Sequence, residues 1–376
     1  MKSAKFLFPL LLLFCIFWTS GCTGKQEKKI EEVVKRELDL LKNLDSDTTQ
    51  KYISYQELFQ DNEEEATASA NVEEVFSLFF QDFDYKILDI DISKDRETAQ
   101  ANLRLVTLDA HALAEDFSKA QLKQEIHQTA AGTEEQEQAV SLEDRYLILS
   151  QLLSSNKYST VERNCTITLT AAGEGEDTIW EIKRTYTLEN DLVGGLMNYL
   201  TDPDILSPGD TLLVYLDTLK NMSTEELGNY LNTDSIISTE DSSKIALAEA
   251  LVKQVSSSFD YEIGEADVSG YHAFVKAKIT TFDSEAILTT YQEELDTYLA
   301  SADAVIDGAQ KRYEKSYTLL LDVIDNNTKI KTVDTTFNLI NDGASWKLED
   351  AGTVFGQALF GTLNSSPVED SEGENS

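Results

Sequence analysis

Short stretches of this sequence recur, in the same order, in the second half of the chain. Residues 38–43 read LDLLKN and residues 216–221 read LDTLKN, so the two stretches are offset by 178 in the numbering. Residues 83–85 read FDY, and the same three letters return at 259–261, an offset of 176. An offset that recurs along a chain is the sequence signature of a repeated structural unit.

The offset between matching residues falls steadily towards the C-terminus. Residues beyond the FDY stretch match at 176 and then at 174, and the tryptophans Trp180 and Trp346 match at 166. The matched residues are Ala99, Ala101 and Leu103 with Val275, Ala277 and Ile279, and Thr107, Asp109 and Ala112 with Thr281, Asp283 and Ala286. Shorter loops in a second copy would produce this trend, so we predict one domain that occurs twice.

The apolar pattern gives both copies the same order of elements. Two helices with apolar residues three and four positions apart precede two strands in which apolar residues alternate, and each copy closes with a strand hairpin. Between the strand pairs, long acidic helical stretches run from about 109 to 155 and from 283 to 325. The predicted fold class is α+β: two tandem copies of a helix–helix plus four-stranded antiparallel sheet domain, each with a long helical insertion.

Prolines and composition set the predicted boundaries. Proline is excluded from helix interiors and central strands, and here it occurs only at Pro9, Pro203, Pro208 and Pro367. The prediction is a signal peptide at 1–21, a lipid-anchored tether at 22–28, a first repeat domain at 29–200, a linker at 201–209, a second repeat domain at 210–363 and a disordered acidic tail at 364–376.

The N-terminus has the order of a bacterial lipoprotein signal. Two lysines precede the apolar run 6–18, which is too short to span a bilayer of about 30 Å as a helix. Ser20 and Gly21 before Cys22 resemble a lipobox, although Thr19 stands where Leu is commoner. The resemblance implies a diacylglycerol on Cys22, cleavage before it, and a protein lipid-anchored at the extracytoplasmic face of the cell membrane. The alternatives are an ordinary secretory signal and a core helix in which the cysteine is incidental.

Charge and composition exclude several classes of function. The chain has 31 basic and 68 acidic residues, a formal charge of −37, so it repels the phosphates of a nucleic acid and no nucleic-acid partner is expected. Three Cys and three His leave little material for a disulfide scaffold or a metal site, and we predict no cofactor and no metal. Cys165 alternates with apolar residues in a predicted strand, which favours a buried, inert thiol.

The order of elements resembles the cone-shaped fold of nuclear transport factor 2-like domains, found in tandem in Gram-positive lipoproteins of unknown function. The resemblance spans most of both halves and rests on element order with the FDY and tryptophan landmarks, while the long helical insertion departs from it. It implies that each cone could enclose a small apolar ligand. The predicted pocket or core aromatics are Phe76, Phe80, Tyr85, Trp180, Tyr186, Tyr261, Phe282 and Trp346.

Chemical motifs are mostly absent from the sequence, which contains no glycine-rich phosphate loop, zinc-protease helix or nucleophile elbow. Some cone-fold enzymes pair an Asp base with a Tyr donor. In the FDY stretches, however, Asp and Tyr are adjacent on a strand and point to opposite faces. We therefore interpret both stretches as strand-entry landmarks with the tyrosine in the core, and catalytic residues are not predicted.

The predicted function is a non-catalytic surface lipoprotein that binds a small apolar ligand or a protein or peptide partner. A structural envelope component without a ligand is the alternative, and a hydrolase or isomerase built on a cone pocket is the third hypothesis. We further predict that Trp180 and Trp346 occupy equivalent places on the two final hairpins, each packed against the second helix of its own copy. The basic residues after Cys22 should face anionic headgroups. These residues are Lys25, Lys28, Lys29, Lys35 and Arg36.

Overall fold

The computed structural model describes residues 7–53, 58–59, 70–132, 141–173, 178–231, 242–349 and 351–363, with backbone alone at 7–23, 46, 70, 242 and 243. The chain divides into two compact units, Met1–Phe117 with Gln138–Asp202, and Ser118–Glu137 with Pro203–Ser376. The predicted signal residues 1–6 and the predicted tail 364–376 lie outside the described residues. Among the described residues, no helix is both long and apolar enough to cross a bilayer.

The chain up to Asp202 contains helices and one sheet. Its elements are α1 (Leu7–Lys42), α2 (Ser46–Tyr52), α3 (Ala70–Phe79), β1 (Asp84–Ile92), β2 (Thr98–Leu108), α4 (Ala110–Ala130), α5 (Leu142–Ser155), β3 (Thr160–Ala172), β4 (Ile179–Ile182), α6 (Tyr186–Leu192) and α7 (Leu196–Tyr199). Residues 22–28, predicted as a tether, are part of α1.

The first sheet is antiparallel throughout, in the order β1-β2-β3-β4. Alternate residues of β2 and β3 are buried, because successive side chains of a strand point to opposite faces. The buried face carries Ala99, Ala101, Leu103, Leu105, Cys165, Ile167 and Leu169. The pairing of β1 with β2 shifts register between Ile87 and Asp89.

The second unit also contains helices and one four-stranded sheet. Its elements are α8 (Pro208–Asn221), α9 (Thr224–Tyr230), α10 (Ser242–Ser258), β5 (Asp260–Ser269), β6 (His272–Phe282), α11 (Ser284–Leu299), α12 (Ala302–Ile306), α13 (Ala309–Asp325), β7 (Ile330–Asn341), β8 (Trp346–Leu348), α14 (Ala351–Phe360) and a 3₁₀ turn at Gly361–Leu363. The sheet is antiparallel in the order β5-β6-β7-β8, and its register shift lies between Ile263 and Ala266, the same part of the first strand. The predicted α+β class is confirmed, with a four-stranded antiparallel sheet in each unit.

Short sequence motifs determine where some helices begin and where some strands turn. Ser207 caps α8 by accepting a hydrogen bond from the Asp210 N–H at 3.1 Å, with Pro208 at the first helical position. The Asn-Asp-Gly turn joins β7 to β8, and Gly343 adopts φ 93° there.

The last strand of the first unit is shorter than predicted. In the sequence, apolar residues alternate with polar ones from Trp180 through Ile182 to Tyr186 and Leu188, which predicts a strand of that length, but β4 ends at Ile182. Thr185 accepts a hydrogen bond from the Leu188 N–H at 3.2 Å and thereby caps α6. A threonine cap therefore starts a helix where apolar alternation alone suggested a strand.

Helix α4 contributes to both units. Leu113 and Ala114 are buried near its start, in the first unit. Ile126 and Ala130 belong to the hydrophobic core of the second unit, although the predicted boundaries placed residues 29–200 in the first repeat. Apolar residues recur four positions apart on each side of a five-residue step between Phe117 and Leu122, and such spacing does not reveal which core covers each turn.

Candidate functional site

The recurrent sequence stretches meet where the first helix of the first unit passes the first strand. The Tyr85 hydroxyl donates a hydrogen bond to Asp39 Oδ1 at 2.7 Å. Lys42, one turn further along α1, places its Nζ 2.7 Å from Asp84 Oδ1. The LDLLKN stretch thus supplies the helix side and the FDY stretch the strand side of one polar clasp.

The second unit has the same clasp. The Tyr261 hydroxyl donates to Asp217 Oδ1 at 3.4 Å, and Lys220 Nζ lies 2.7 Å from Asp260 Oδ1. Lys220 Nζ also lies 5.6 Å from the centroid of the Tyr261 ring, within the range of a cation–π contact. The four residues are of the same types, and pair in the same way, in both units.

The electrostatics of the clasp oppose acid–base catalysis. The Lys42 hydrogen bond lowers the pKa of Asp84, and Lys220 lowers that of Asp260. Burial, followed by the neighbouring Asp39, raises the pKa of Tyr85, so its phenol stays protonated. A general base near neutral pH needs a raised carboxyl pKa, which neither aspartate of the FDY stretches has. Both tyrosines are half-buried at the helix–strand junction, and Tyr261 packs against the hydrophobic core of the second unit.

We expect Tyr85→Phe to lower the free energy of unfolding by about 1 kcal/mol, the net value of one intramolecular hydrogen bond. Tyr261→Phe should cost less, because its bond to Asp217 is 3.4 Å long against 2.7 Å in the first unit. Urea denaturation of the two variants measures both values. A larger loss in Tyr261→Phe would contradict the ranking.

The two tryptophans of the final hairpins are buried in equivalent surroundings. Trp180 is 3% exposed and Trp346 is 5% exposed. The Trp180 indole N–H donates to Gln26 Oε1 at 3.1 Å, and that of Trp346 to Asp204 Oδ1 at 2.9 Å. Strand β4 lies against α1 and β8 against α8, so packing against the second helix was wrong; the first helix covers each strand.

The two indole acceptors were missed in the sequence analysis, although a signal for them was present. Gln26 precedes Asp39 by the same interval in the numbering as Asp204 precedes Asp217. The residue types differ, so no letter match marked the pair. Both side chains supply the oxygen that a buried indole N–H requires.

The predicted pocket or core aromatics fall into three groups. Phe76, Phe80, Trp180, Phe282 and Trp346 are buried, and Tyr85 and Tyr261 are half-buried. Tyr186 is 46% exposed and donates a hydrogen bond to Asn198 Oδ1 at 2.7 Å, so its assignment to the core was wrong. Its side chain is exposed because α6 begins at this residue, so the alternation of a strand does not continue through it. Phe76 and Phe80 stack on each other with centroids 6.5 Å apart, and Phe79 and Phe83 pack edge-on against Phe80.

Two clefts lined wholly by described residues lie among the inserted helices of the second unit. The larger, of about 570 Å³, is open and lies between α11, α12 and α13. Its lining is Glu293, Glu294, Thr297, Tyr298, Ser301, Asp303 and Leu319. The smaller, of about 180 Å³, lies beside it and shares Glu294. Polar, carboxylate-rich walls do not suit an apolar ligand. None of the predicted aromatics lines either cleft.

Histidine and cysteine side chains form no reactive cluster in the described part of the chain. No group of three His, Cys, Asp or Glu side chains there could hold a metal ion. His127 Nδ1 lies 3.4 Å from Glu226 Oε1 on the surface, and His111 packs edge-on against Tyr199. Cys165 is buried, and that burial raises the pKa of its thiol to about 12, which makes it a poor nucleophile.

Comparison with known proteins gives little further information. No protein-family model matches the sequence, and no curated protein matches it significantly. Among solved structures, the chain is similar to ycdA from Bacillus subtilis, a protein provisionally described as a lipoprotein. The two are 10% identical with a TM-score of 0.28, and the match covers 71% of this chain and 92% of that chain. A TM-score this low carries no argument about fold or function.

Proposed function

We propose that this chain is a lipid-anchored protein of the bacterial cell envelope, held at the outer face of the cell membrane by a diacylglycerol on Cys22. The observation that carries the proposal is the order of the N-terminal signals: two lysines, the apolar run 6–18, two small residues and Cys22. The net charge of −37 also suits an exported protein that avoids nucleic acid.

We also propose that the two units bind a protein or peptide partner through their surfaces and catalyse no reaction. Phe76, Phe79, Phe80 and Phe83 pack on one another inside the first unit, and the two clefts described in the second unit have polar walls. Apolar side chains are instead available outside: Val305 and Ile306 of α12 are 82% and 81% exposed, and Tyr271 is 71% exposed. Exposed apolar groups of this kind are typical of protein interaction sites rather than of small-ligand cavities.

The relation to nuclear transport factor 2-like cones belongs to the same proposal. Two leading helices followed by a four-stranded antiparallel sheet are present in each unit, and the polar clasp repeats at equivalent positions. These features support a tandem duplication of one cone-like domain. The inserted helices between the second and third strands depart from that pattern.

Replacing Cys22 by Ala tests the anchor. Without the thiol there is no atom to carry the lipid, so we expect the variant to move from the membrane fraction to the soluble fraction. Cys15→Ala is the matched control, because Cys15 lies within the apolar run and should be dispensable. Retention of Cys22→Ala in the membrane fraction after a high-salt wash would contradict the lipoprotein assignment.

Native mass spectrometry of the soluble Cys22→Ala protein, purified from its own host, tests the mode of binding. We expect the mass of the bare polypeptide, because the described clefts offer no apolar enclosure. A retained small apolar molecule would contradict the proposal and favour the cone-pocket alternative.

A further inference from the structure

The helix that would follow the lipid anchor is fastened to the first sheet within one turn. Cys22 and Gln26 are four residues apart on the continuous helix α1, a rise of about 6 Å. Gln26 accepts the indole hydrogen bond of the buried Trp180, and Lys29 Nζ donates to the Thr178 carbonyl oxygen at 3.4 Å. These two contacts hold the start of the mature helix against β4.

This arrangement shortens the link between lipid and protein. Residues 22–28 span about 10 Å as a helix, whereas an extended tether of the same seven residues would reach about 24 Å. A helix pinned to a sheet also cannot rotate freely about its attachment point. The first unit would therefore meet the membrane at one defined end.

The strand register identifies that end. Thr98 pairs with Thr170, and Ala171 pairs with Trp180. The hairpin at residues 93–97 and the start of β4 therefore lie at the same end of the strands. The Ala171 N–H donates to the Glu97 carbonyl oxygen at 2.8 Å, which joins the two directly. We call this end of the sheet the anchor-end surface. It is formed by residues 93–97 and Ile179, beside the start of the mature helix.

The anchor-end surface has side chains that suit a lipid headgroup region. Ile179 is 63% exposed, and Lys94 and Arg96 are both exposed at the hairpin tip. Asp95 and Glu97 alternate with these cations, so net charge alone would not draw this surface to a membrane. Proximity imposed by the short, pinned helix is the dominant effect, and the aliphatic and cationic side chains make the contact favourable.

We propose that in the lipid-anchored protein the anchor-end surface rests on the bilayer, with Ile179 and the 93–97 hairpin in the headgroup region. This proposal rests on the anchor proposed above and adds a fixed orientation to it. The opposite end of the sheet, where the Asp109 N–H donates to the Ser159 carbonyl oxygen, faces away from the lipid.

Single-cysteine labelling of the lipidated protein, processed at Cys22, tests the orientation. Ile179→Cys, Lys94→Cys and the control Lys157→Cys, exposed near the opposite end, are each labelled with the environment-sensitive dye NBD. The buried Cys165 thiol should not react. In vesicles of phosphatidylcholine and phosphatidylglycerol, we expect a blue shift and intensity gain at 179 and 94 relative to the same variants carrying both Cys15→Ala and Cys22→Ala, and none at 157. The Cys15→Ala change is needed because the unlipidated chain retains that thiol.

Flotation of the same vesicles separates the two proposals. Floating protein with equal spectra at 94, 157 and 179 would overturn the orientation and leave the anchor intact, whereas protein that does not float would overturn both. Inserting Gly-Ser-Gly-Ser after Gly24 provides a second variant. The insertion introduces a flexible tether between the lipid and Gln26 and leaves the sheet unchanged. We expect it to float normally and to lose the spectral shift at 94; an unchanged shift would argue against a rigid link.

Discussion

Truncation of Trp180 or Trp346 to alanine is expected to lower the free energy of unfolding of its own unit by about 3–5 kcal/mol. Each indole is at most 5% exposed, and each donates its N–H to an oxygen on or just before the first helix of its unit. Removal of the ring leaves a cavity between strand and helix. It also removes the indole donor from Gln26 or Asp204.

Urea denaturation followed by circular dichroism measures this loss, and the fluorescence of the remaining tryptophan, which lies in the other unit, shows whether that unit is unaffected. Trp→Phe at each position is the matched control: it keeps most of the ring volume but deletes the N–H, so it should cost clearly less than alanine. In the wild-type mature chain both tryptophans should emit in the blue and resist acrylamide quenching. A loss below about 1 kcal/mol for either alanine variant would contradict the buried, bonded indole, since large aromatic truncations in cores exceed that value.

Gly194→Ala is expected to destabilise the first unit by about 2 kcal/mol or more, from a left-handed backbone and a steric clash together. Gly194 has φ +64°, a conformation that side chains with a Cβ rarely adopt. A Cβ there would lie 2.8 Å from the buried Thr107 Oγ1 and 3.1 Å from the Leu108 carbonyl oxygen. The turn after α6 packs this closely on the end of β2, so the neighbours have little room to move.

Gly270→Ala is the control that isolates the clash. Gly270 has nearly the same backbone angle, φ +63°, but a Cβ at this position would meet no described atom within 4 Å. It should therefore show only the backbone cost, about 1 kcal/mol. Equal losses at Gly194 and Gly270, measured by thermal or urea unfolding, would mean that the contact with Thr107 does not restrict the turn.

The regular parts of the fold were predictable because they depend on local patterns. Alternation marked β2 and β6, four-residue spacing marked α3 and α8, and Ser207-Pro208 marked a helix start. The β4 boundary was not predictable from alternation, because the Thr185 cap competes with the strand pattern and is satisfied only when the following residues turn into a helix. Tyr186 was misassigned for that reason.

The candidate site was less predictable, since its side chains come from distant parts of the chain. The matching stretches identified the right residues of the clasp, yet they did not show that Asp39 meets Tyr85 or that Lys42 meets Asp84. The acceptors for the two indole N–H groups could not be matched by residue type, because a Gln accepts the bond in one unit and an Asp in the other. Hydrogen-bond geometry, rather than residue identity, defines that position.

The sequence by itself determined the class of most elements, the N-terminal signal order and the matching landmarks of the two copies, because helix, strand and turn preferences act over a few residues. Only the tertiary structure decided which surfaces those elements cover. It placed the first helix rather than the second over each tryptophan. It assigned Ile126 and Ala130 to the second core, and it joined the predicted tether to the first sheet through Gln26. An apolar stripe shows that a face must be covered, but the partner depends on the path of the whole chain.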